Sequence, residues 1–286
     1  MANQQACLRR LHRYLLSRAA SRVVNWRDHW LDPAAESFYR AMSAGGFNPE
    51  AQIDVLPQHR LIYVCVPKSA STTIKSALST LERGAPACSG MLHKRRYSGL
   101  KSPSQVGLST FHQLASNAAT LRFSFVRNPY ARLVSAWADK YQNKPLLRGD
   151  SFADLYLTHR AASGDAPAVG DSNTLSFPRF VEFAAATADR RVNAHWHLQD
   201  DILDMPGIKL DLIGKVENFP GDFNRVLDHV GASDQVRLAI GQRLNASQHH
   251  PWQDYYTDAL AARVHGAYER DFDRFGYSRA LNEAAA

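Results

Sequence analysis

The sequence has 286 residues, 45% of them apolar, and a formal net charge of +7. This size allows one large domain or two small ones. The sequence contains no run of eighteen apolar residues, which is the length needed to cross a membrane. The three cysteines (Cys7, Cys65 and Cys88) have unrelated spacings, so neither a disulfide framework nor a metal site is predicted. The positive charge suits a polyanionic cofactor or an acidic glycan, whereas no motif supports nucleic acid binding.

The N-terminal segment is basic and amphipathic. No acidic residue precedes Asp28, and apolar residues recur at helical spacing: Leu8, Leu11, Leu15, Ala19 and Val23. This pattern predicts a basic amphipathic helix within residues 1–30. Three roles are open for it: docking on its own domain or on another chain, peripheral contact of residues 8–27 with an anionic membrane, or a disordered tail. No signal-peptide pattern is visible, so a cytoplasmic setting is predicted, with any membrane contact at the inner surface.

A six-residue apolar run, 61–66, is followed by Pro67, Lys68 and a loop rich in hydroxyl groups. The run predicts a strand buried on both faces, and the residues after the loop predict a helix. Helix N-terminal amides, hydroxyl groups and a lysine at the carboxyl end of a parallel strand suit a phosphate. An ordinary strand–turn–helix with a Ser/Thr cap is the alternative.

A second strand is predicted at 121–126 and is followed directly by Arg127. Asn128 is a good N-cap and Pro129 suits the first helical position, so a helix is predicted to follow. Ser135 then lies about two turns into this helix. A guanidinium and a hydroxyl group on adjoining elements can bind one phosphate. Arg132 is either a third donor or a solvated charge.

The rest of the chain is less clearly patterned. Residues 83–105 and 142–175 are predicted to be long irregular regions, which in a compact domain are lids or mobile segments. A short strand is predicted at 210–213, a helix at 219–230, and a last amphipathic helix at 258–275. Gly231 stands where a glycine often ends a helix.

Two of these segments resemble motifs of the Golgi-type carbohydrate sulfotransferases. Residues 66–73 resemble the loop that binds the 5′-phosphosulfate in that family, and residues 125–136 resemble its 3′-phosphate motif. Weaker similarities follow at His195-Trp196 with Gln199, at 213–218, at 255–257 and at 271–277. The resemblance covers roughly residues 58–278.

The resemblance implies a P-loop-like α/β fold. We expect three α/β/α layers around a central parallel sheet, with the cofactor at the carboxyl ends of the strands. Residues 31–280 are predicted to form a single domain, followed by a tail at 281–286. The implied donor is 3′-phosphoadenosine 5′-phosphosulfate (PAPS), without a metal. The acceptor is predicted to be a hydroxyl group of a carbohydrate or glycolipid, and its identity and the oligomeric state are not readable from the sequence.

The resemblance also assigns site residues. Lys68 would offset the charge that develops on the leaving phosphate oxygen. The 5′-phosphate would be bound by the loop itself, through Lys68, Ser69, Ala70, Ser71, Thr72 and Thr73. Arg127 and Ser135 would bind the 3′-phosphate.

The general base is predicted to be a histidine, because the pKa of imidazole suits proton abstraction near neutral pH. His112 lies in the region ahead of the second core strand where related enzymes place a catalytic histidine or glutamate. His195 is the rival. Trp196 either stacks on a sugar or adenine ring or belongs to the core.

Two other functions explain part of the pattern. A P-loop ATPase or kinase also has a strand, a loop and a helix, but residues 66–73 lack both glycines of G-x-x-x-x-G-K-[ST]. A non-catalytic basic protein could bind an acidic glycan or a membrane through its N-terminal helix and the 94–96 cluster. The sulfotransferase alone should bind adenosine 3′,5′-bisphosphate without magnesium.

Overall fold

The structure is a computed structural model of the chain. It describes residues 32–44, 48–84, 95–164, 174–190, 192–234, 237 and 251–281. The predicted N-terminal helix and the tail from residue 282 onwards lie outside the described residues. Within the described ranges, no helix has both the length and the apolar character needed to cross a membrane.

The described residues form four strands and twelve helices. The strands are β1 (Ile53–Leu56), β2 (Leu61–Val64), β3 (Leu121–Val126) and β4 (Leu212–Lys215). The helices up to β3 are α1 (Pro33–Ala44), α2 (Pro49–Gln52), α3 (Ser71–Arg83), α4 (Arg95–Ser98), α5 (Pro103–Val106) and α6 (Leu108–Ser116). The later helices are α7 (Pro129–Lys140), α8 (Ser151–Ala162), α9 (Phe177–Thr187), α10 (Gln199–Leu203), α11 (Phe219–His229) and α12 (Asp258–Phe275). Three short 3₁₀ turns lie at Pro57–His59, Val216–Asn218 and Trp252–Tyr255.

The contacts divide the described chain into two compact units. The first contains the described residues of 32–66, 70–125 and 203–237, and the second contains 67–69, 126–202 and 251–281. The sheet belongs to the first unit, apart from the last residue of β3. The second unit is helical. The predicted single domain at 31–280 stays a prediction.

The first unit is built on a four-stranded sheet in the order β1-β2-β3-β4. Strands β2 and β3 are parallel, with Leu61 opposite Leu121, whereas β1 runs antiparallel to β2 at the edge. All residues of β1 and β2 are buried, as the apolar run at 61–66 predicts. The α/β class is therefore confirmed, and an antiparallel edge strand, β1, precedes the buried strand β2.

Aromatic rings fill the core of the first unit. Phe125 on β3 lies 5.1 Å from Phe219 and 6.0 Å from Phe223, both on α11, measured between ring centroids. Gly214 on β4 passes directly over this ring, because a Cβ atom built there would lie 2.5 Å from a ring carbon of Phe125. The ring therefore uses the space that a side chain at position 214 would need.

A buried ion cluster stabilises the start of the sheet. Asp54 on β1 is 1% exposed and pairs with both Lys75 and Arg95. Arg95 also donates to the main-chain oxygens of Glu50 and Ile53, at 2.8 Å each. Arg95, which belongs to the 94–96 cluster, is thus a structural residue, so its guanidinium is not available to an acidic glycan.

The second unit begins at a capped helix. The side chain of Asn128 accepts hydrogen bonds from the main-chain nitrogens of Tyr130 and Ala131, and Pro129 occupies the first helical position of α7. Both features were predicted from the sequence. Tyr130 then anchors the core, with its ring 5.0 Å from that of Phe272 on α12.

Two predictions about the second unit have different outcomes. The last helix, predicted at 258–275, has these bounds in the structure. The irregular region predicted at 142–175 is wrong in part, because α8 occupies 151–162 and is capped by the side chain of Asp150.

Replacing Gly214 by alanine should destabilise the protein. The added methyl group would overlap the Phe125 ring, and overpacking of this kind costs about 1–3 kcal/mol in unfolding free energy. Gly266→Ala is the control, since it lies in α12 with open space around its Cβ position and should gain about 0.5–1 kcal/mol. Urea unfolding measures both, and equal effects of the two variants would contradict the packing argument.

Candidate active site

The loop after β2 has an unusual backbone. Lys68 and Ala70 have positive φ angles of 69° and 56°, the left-handed conformation that side-chain-bearing residues rarely adopt. Helix α3 starts directly after Ala70, which as N-cap provides no side-chain hydrogen bond to the first turn. Backbone strain of this kind is frequent at functional sites, and left-handed residues occur in the backbone nests that bind anions.

The buried side chain of Gln199 fixes this loop relative to Arg127. Its amide oxygen accepts hydrogen bonds from the Ser69 hydroxyl at 3.1 Å and from the main-chain nitrogen of Arg127 at 2.9 Å. Its amide nitrogen donates to the main-chain oxygen of Arg127 at 2.9 Å and to Asp271 at 3.3 Å. Gln199 and Ser69 are both 0% exposed. One neutral side chain therefore holds the two predicted phosphate-binding segments together.

Arg132 is a second buried clamp on the same loop. It is 1% exposed and donates to the main-chain oxygens of Pro67 at 3.1 Å, His197 at 2.7 Å and Ala194 at 2.7 Å. The sequence left Arg132 as either a phosphate donor or a solvated charge. The structure shows neither role: its guanidinium binds backbone oxygens and positions Pro67.

One face of α7 lies along the loop. Residues 132, 135 and 139 are three and four positions apart, so they share a face of the helix. The first contacts Pro67 and the last contacts Lys68. Ser135 lies between them and is partly exposed. The fold thus brings Lys68, Arg127 and Ser135 into one unit, as their predicted roles require.

The ammonium of Lys68 has an acidic partner. Its Nζ contacts the Oδ2 oxygen of Asp139, and Nζ of Lys140 lies 3.0 Å from the same oxygen. Burial lowers the pKa of Lys68, Asp139 raises it, and the charges of Lys140 and Arg127 lower it further. The positive charges of Lys140 and Arg127 beside Lys68 make this a positive region that favours an anion.

His195 lies in the same electrostatic environment. Burial lowers its pKa to about 3, and the charges of Lys140, Lys68 and Arg132 act in the same direction. Its Nδ1 atom lies 2.6 Å from the amide oxygen of Asn193, so Nδ1 carries the proton and Nε2 has the lone pair. In the protein as described, His195 is neutral at pH 7.

The other two predicted site residues have different surroundings. Trp196 is fully buried and donates from Nε1 to the Thr187 hydroxyl at 3.1 Å, so the core alternative holds for it. His112 belongs to the first unit, on α6, where its ring lies 4.9 Å from that of Phe38. This contact does not indicate a base, and the role of His112 stays a prediction.

Sequence reasoning did not assign a site role to Gln199 or Asp139. The sequence did point to Gln199, since the weaker similarity to the carbohydrate sulfotransferases at His195-Trp196 includes this residue. Asp139 follows Ser135 by four residues, and this spacing on a predicted helix places the two side chains on one face. The partner of Lys68 is nevertheless visible only in the structure.

Comparisons with known proteins show the family of the chain. A family model described as "Sulfotransferase family" matches residues 51–278. Relatives include carbohydrate sulfotransferase 14 of Homo sapiens, 26% identical over 193 residues (66% of this chain and 49% of the relative). Carbohydrate sulfotransferase 11 of Mus musculus is 28% identical over 237 residues, covering 77% of this chain and 65% of the relative. Carbohydrate sulfotransferase 8 of Mus musculus is 25% identical over 250 residues, covering 82% and 58%.

The chain thus spans about half to two thirds of the length of these curated relatives. No solved structure gives a significant match.

Replacing Gln199 by methionine should destabilise the second unit. The variant keeps the volume but leaves the Ser69 hydroxyl and the main-chain groups of Arg127 without their partner, at a cost of about 2–4 kcal/mol in unfolding free energy. Urea unfolding measures this. Gln113→Met, at an exposed glutamine, is the control and should stay within about 0.5 kcal/mol of wild type. Equal stability of the two variants would contradict the clamp.

Acid should destabilise the protein partly through His195. The unfolded chain takes up this proton near the ordinary pKa of 6.5, whereas burial delays uptake in the folded chain to about 3. Between these values the unfolded state binds more protons, so the stability decreases as the pH decreases, by at most about 1.4 kcal/mol per pH unit for this residue. His195→Gln should lose less stability between about pH 7 and pH 5 than wild type does, in urea unfolding. The exposed His229→Gln should behave as wild type, and a wild-type slope in His195→Gln would overturn the assignment.

Proposed function

Because the chain belongs to the Sulfotransferase family, we propose that it transfers a sulfuryl group from PAPS to a hydroxyl group of a carbohydrate. The observation that carries the proposal is that Gln199 joins the loop of Lys68 to Arg127, while the face of α7 that carries Ser135 contacts the same loop. The names of the relatives, all carbohydrate sulfotransferases, support a carbohydrate acceptor.

The charges at the proposed donor site fit a compact polyanion. Lys68, Lys140 and Arg127 contribute three cations near the carboxylate of Asp139, and all of these groups affect the pKa of Lys68. A nucleotide with a 5′-phosphosulfate and a 3′-phosphate would compensate this excess positive charge. The proposed assignments are Lys68 at the 5′ end, and Arg127 with Ser135 at the 3′-phosphate.

The loop residues contribute in different ways. The hydroxyl of Ser69 is already bound to Gln199, so we assign its contribution to the backbone. Ala70 has no polar side chain and also contributes through the backbone, in its left-handed conformation. Ser71, Thr72 and Thr73 open α3, where the first amides of a helix favour a phosphate.

The chemistry requires a base and charge stabilisation. The sulfur–oxygen bond to the nucleotide breaks as one to the acceptor oxygen forms, and the acceptor proton passes to a base. Lys68 offsets the charge on the departing phosphate oxygen. Two observations favour His195 as the base: its Nε2 atom is unprotonated, and the cations around it include Lys68. A bound polyanion would offset those cations and raise the pKa of His195 toward the range that suits a base. His112 stays the alternative base, and single alanine substitutions distinguish the two.

The other functions predict different ligands. A P-loop ATPase requires ATP with magnesium, and a non-catalytic scaffold binds neither nucleotide. Membrane contact through residues 8–27 stays a prediction, since the first 31 residues lie outside the described part of the chain. The glycolipid acceptor and the cytoplasmic setting also stay predictions.

Calorimetric titration with adenosine 3′,5′-bisphosphate in the presence of a chelator tests the function. We expect micromolar binding to wild type, and binding weaker by about 10- to 100-fold in Arg127→Ala, because a charge-assisted hydrogen bond is lost. Lys68→Ala should lower turnover by about 100-fold or more. Arg263→Ala is the control: it removes a cation that is paired with Glu182 in the same unit, and it should bind as wild type. Preference for magnesium-ATP, or no binding of the bisphosphate, would overturn the proposed function.

A further inference from the structure

Three lysine side chains contact Asp139 at the end of α7, two of them through its carboxylate. Its Oδ2 oxygen contacts Nζ of Lys68 and lies 3.0 Å from Nζ of Lys140. The main-chain oxygen of Asp139 accepts a further hydrogen bond from Nζ of Lys144. An acidic side chain therefore already binds the ammonium that the proposed function assigns to the donor.

The contact is ionic. Burial alone would raise the pKa of Asp139, but its hydrogen bonds to Lys68 and Lys140 lower it to about 2, so the carboxylate is charged at neutral pH. Asp139 also offsets the burial of Lys68 and the repulsion from Lys140 and Arg127, all of which favour the neutral amine. Within the described residues, these are the groups that shift the pKa of Lys68.

The two lysines hold the aspartate in different ways. The side chain of Lys68 is 14% exposed, whereas that of Asp139 is 46% exposed and can turn toward solvent. Lys140 is held independently, because its ammonium lies 4.6 Å from the centroid of the Phe152 ring. Asp139 can therefore leave Lys68 and keep Lys140 as its partner.

We propose that Asp139 is a positioning residue that binds the Lys68 ammonium in the donor-free protein and releases it when a nucleotide phosphate binds. The proposal rests on the proposed function, which makes Lys68 a donor contact. A phosphate and a carboxylate on one ammonium repel each other, so the incoming anion displaces the weaker one. Donor binding is then an exchange of anions on Lys68.

Exchange has a measurable effect on affinity. An internal competitor that occupies Lys68 about nine tenths of the time lowers the apparent affinity for the nucleotide about tenfold. Asparagine at position 139 removes the competing charge and keeps the side-chain shape. Asp139→Asn should therefore bind adenosine 3′,5′-bisphosphate about tenfold more tightly than wild type, although it has lost the carboxylate charge that pairs with Lys68.

Asp273→Asn is the matched control. It removes the same charge from the second unit at an exposed aspartate that pairs with Arg279, so it reports the effect of net charge alone. We expect wild-type affinity for this variant in calorimetric titration, and Asp139→Glu should also remain close to wild type. Unchanged or weaker binding by Asp139→Asn, or an equal gain in Asp273→Asn, would overturn the proposal.

A second measurement follows Lys68 directly. Without its counter-ion, the pKa of Lys68 should fall and its amine should react faster with acetic anhydride, which peptide mass spectrometry quantifies at each lysine. We expect labelling of Lys68 to be several-fold faster in Asp139→Asn than in wild type without nucleotide, and the difference to vanish at saturating bisphosphate. Equal labelling rates without nucleotide would overturn the ion pair as the state of Lys68.

The outcomes separate this proposal from the proposed function. If neither wild type nor Asp139→Asn binds the bisphosphate, the proposed function fails and the exchange fails with it. If wild type binds it and Asp139→Asn shows no gain, only the exchange fails.

Discussion

The geometry of the candidate site depends on the buried amide of Gln199. An amide group has an acceptor and a donor end, and here both are used. The oxygen accepts from Ser69 and from the main-chain nitrogen of Arg127, and the nitrogen donates to the main-chain oxygen of Arg127 and to Asp271. Buried hydrogen-bonding groups are costly to leave without a partner, so this arrangement specifies one position for the loop. Because the side chain is neutral, it adds no charge to a site that must attract an anion.

Charged residues at the site divide into those that build it and those that remain available. The guanidinium of Arg132 donates hydrogen bonds to three main-chain oxygens. Asp271 accepts hydrogen bonds from the main-chain nitrogens of Gln199 and Asp200. Lys68 instead has an exchangeable partner in Asp139. A side chain bound to fixed backbone groups cannot serve a ligand without breaking the fold, whereas one bound to a half-exposed carboxylate can.

The sequence predicted the parts of the fold that local patterns determine. The apolar run at 61–66, the strand at 121–126, the Asn128-Pro129 cap and the last helix each carry their signal within a few residues. Helix α8 was missed because its apolar residues (Phe152, Ala153, Leu155, Tyr156 and Leu157) surround the helix rather than forming one stripe. The role of Arg132 could not be predicted, because only tertiary structure brings the Pro67, Ala194 and His197 oxygens together.

The left-handed residues of the loop give these clamps a physical purpose. Lys68 and Ala70 each adopt a conformation that costs roughly 1–2 kcal/mol for a residue with a side chain. A free loop would relax out of it, but the Ser69 and Pro67 contacts to Gln199 and Arg132 fix the residues next to Lys68. The free-energy cost of this strain therefore arises during folding and not during binding, so ordering of the loop takes little from the affinity for an anion. What a ligand must still overcome is the charge of Asp139, which makes that aspartate the adjustable element of an otherwise rigid site.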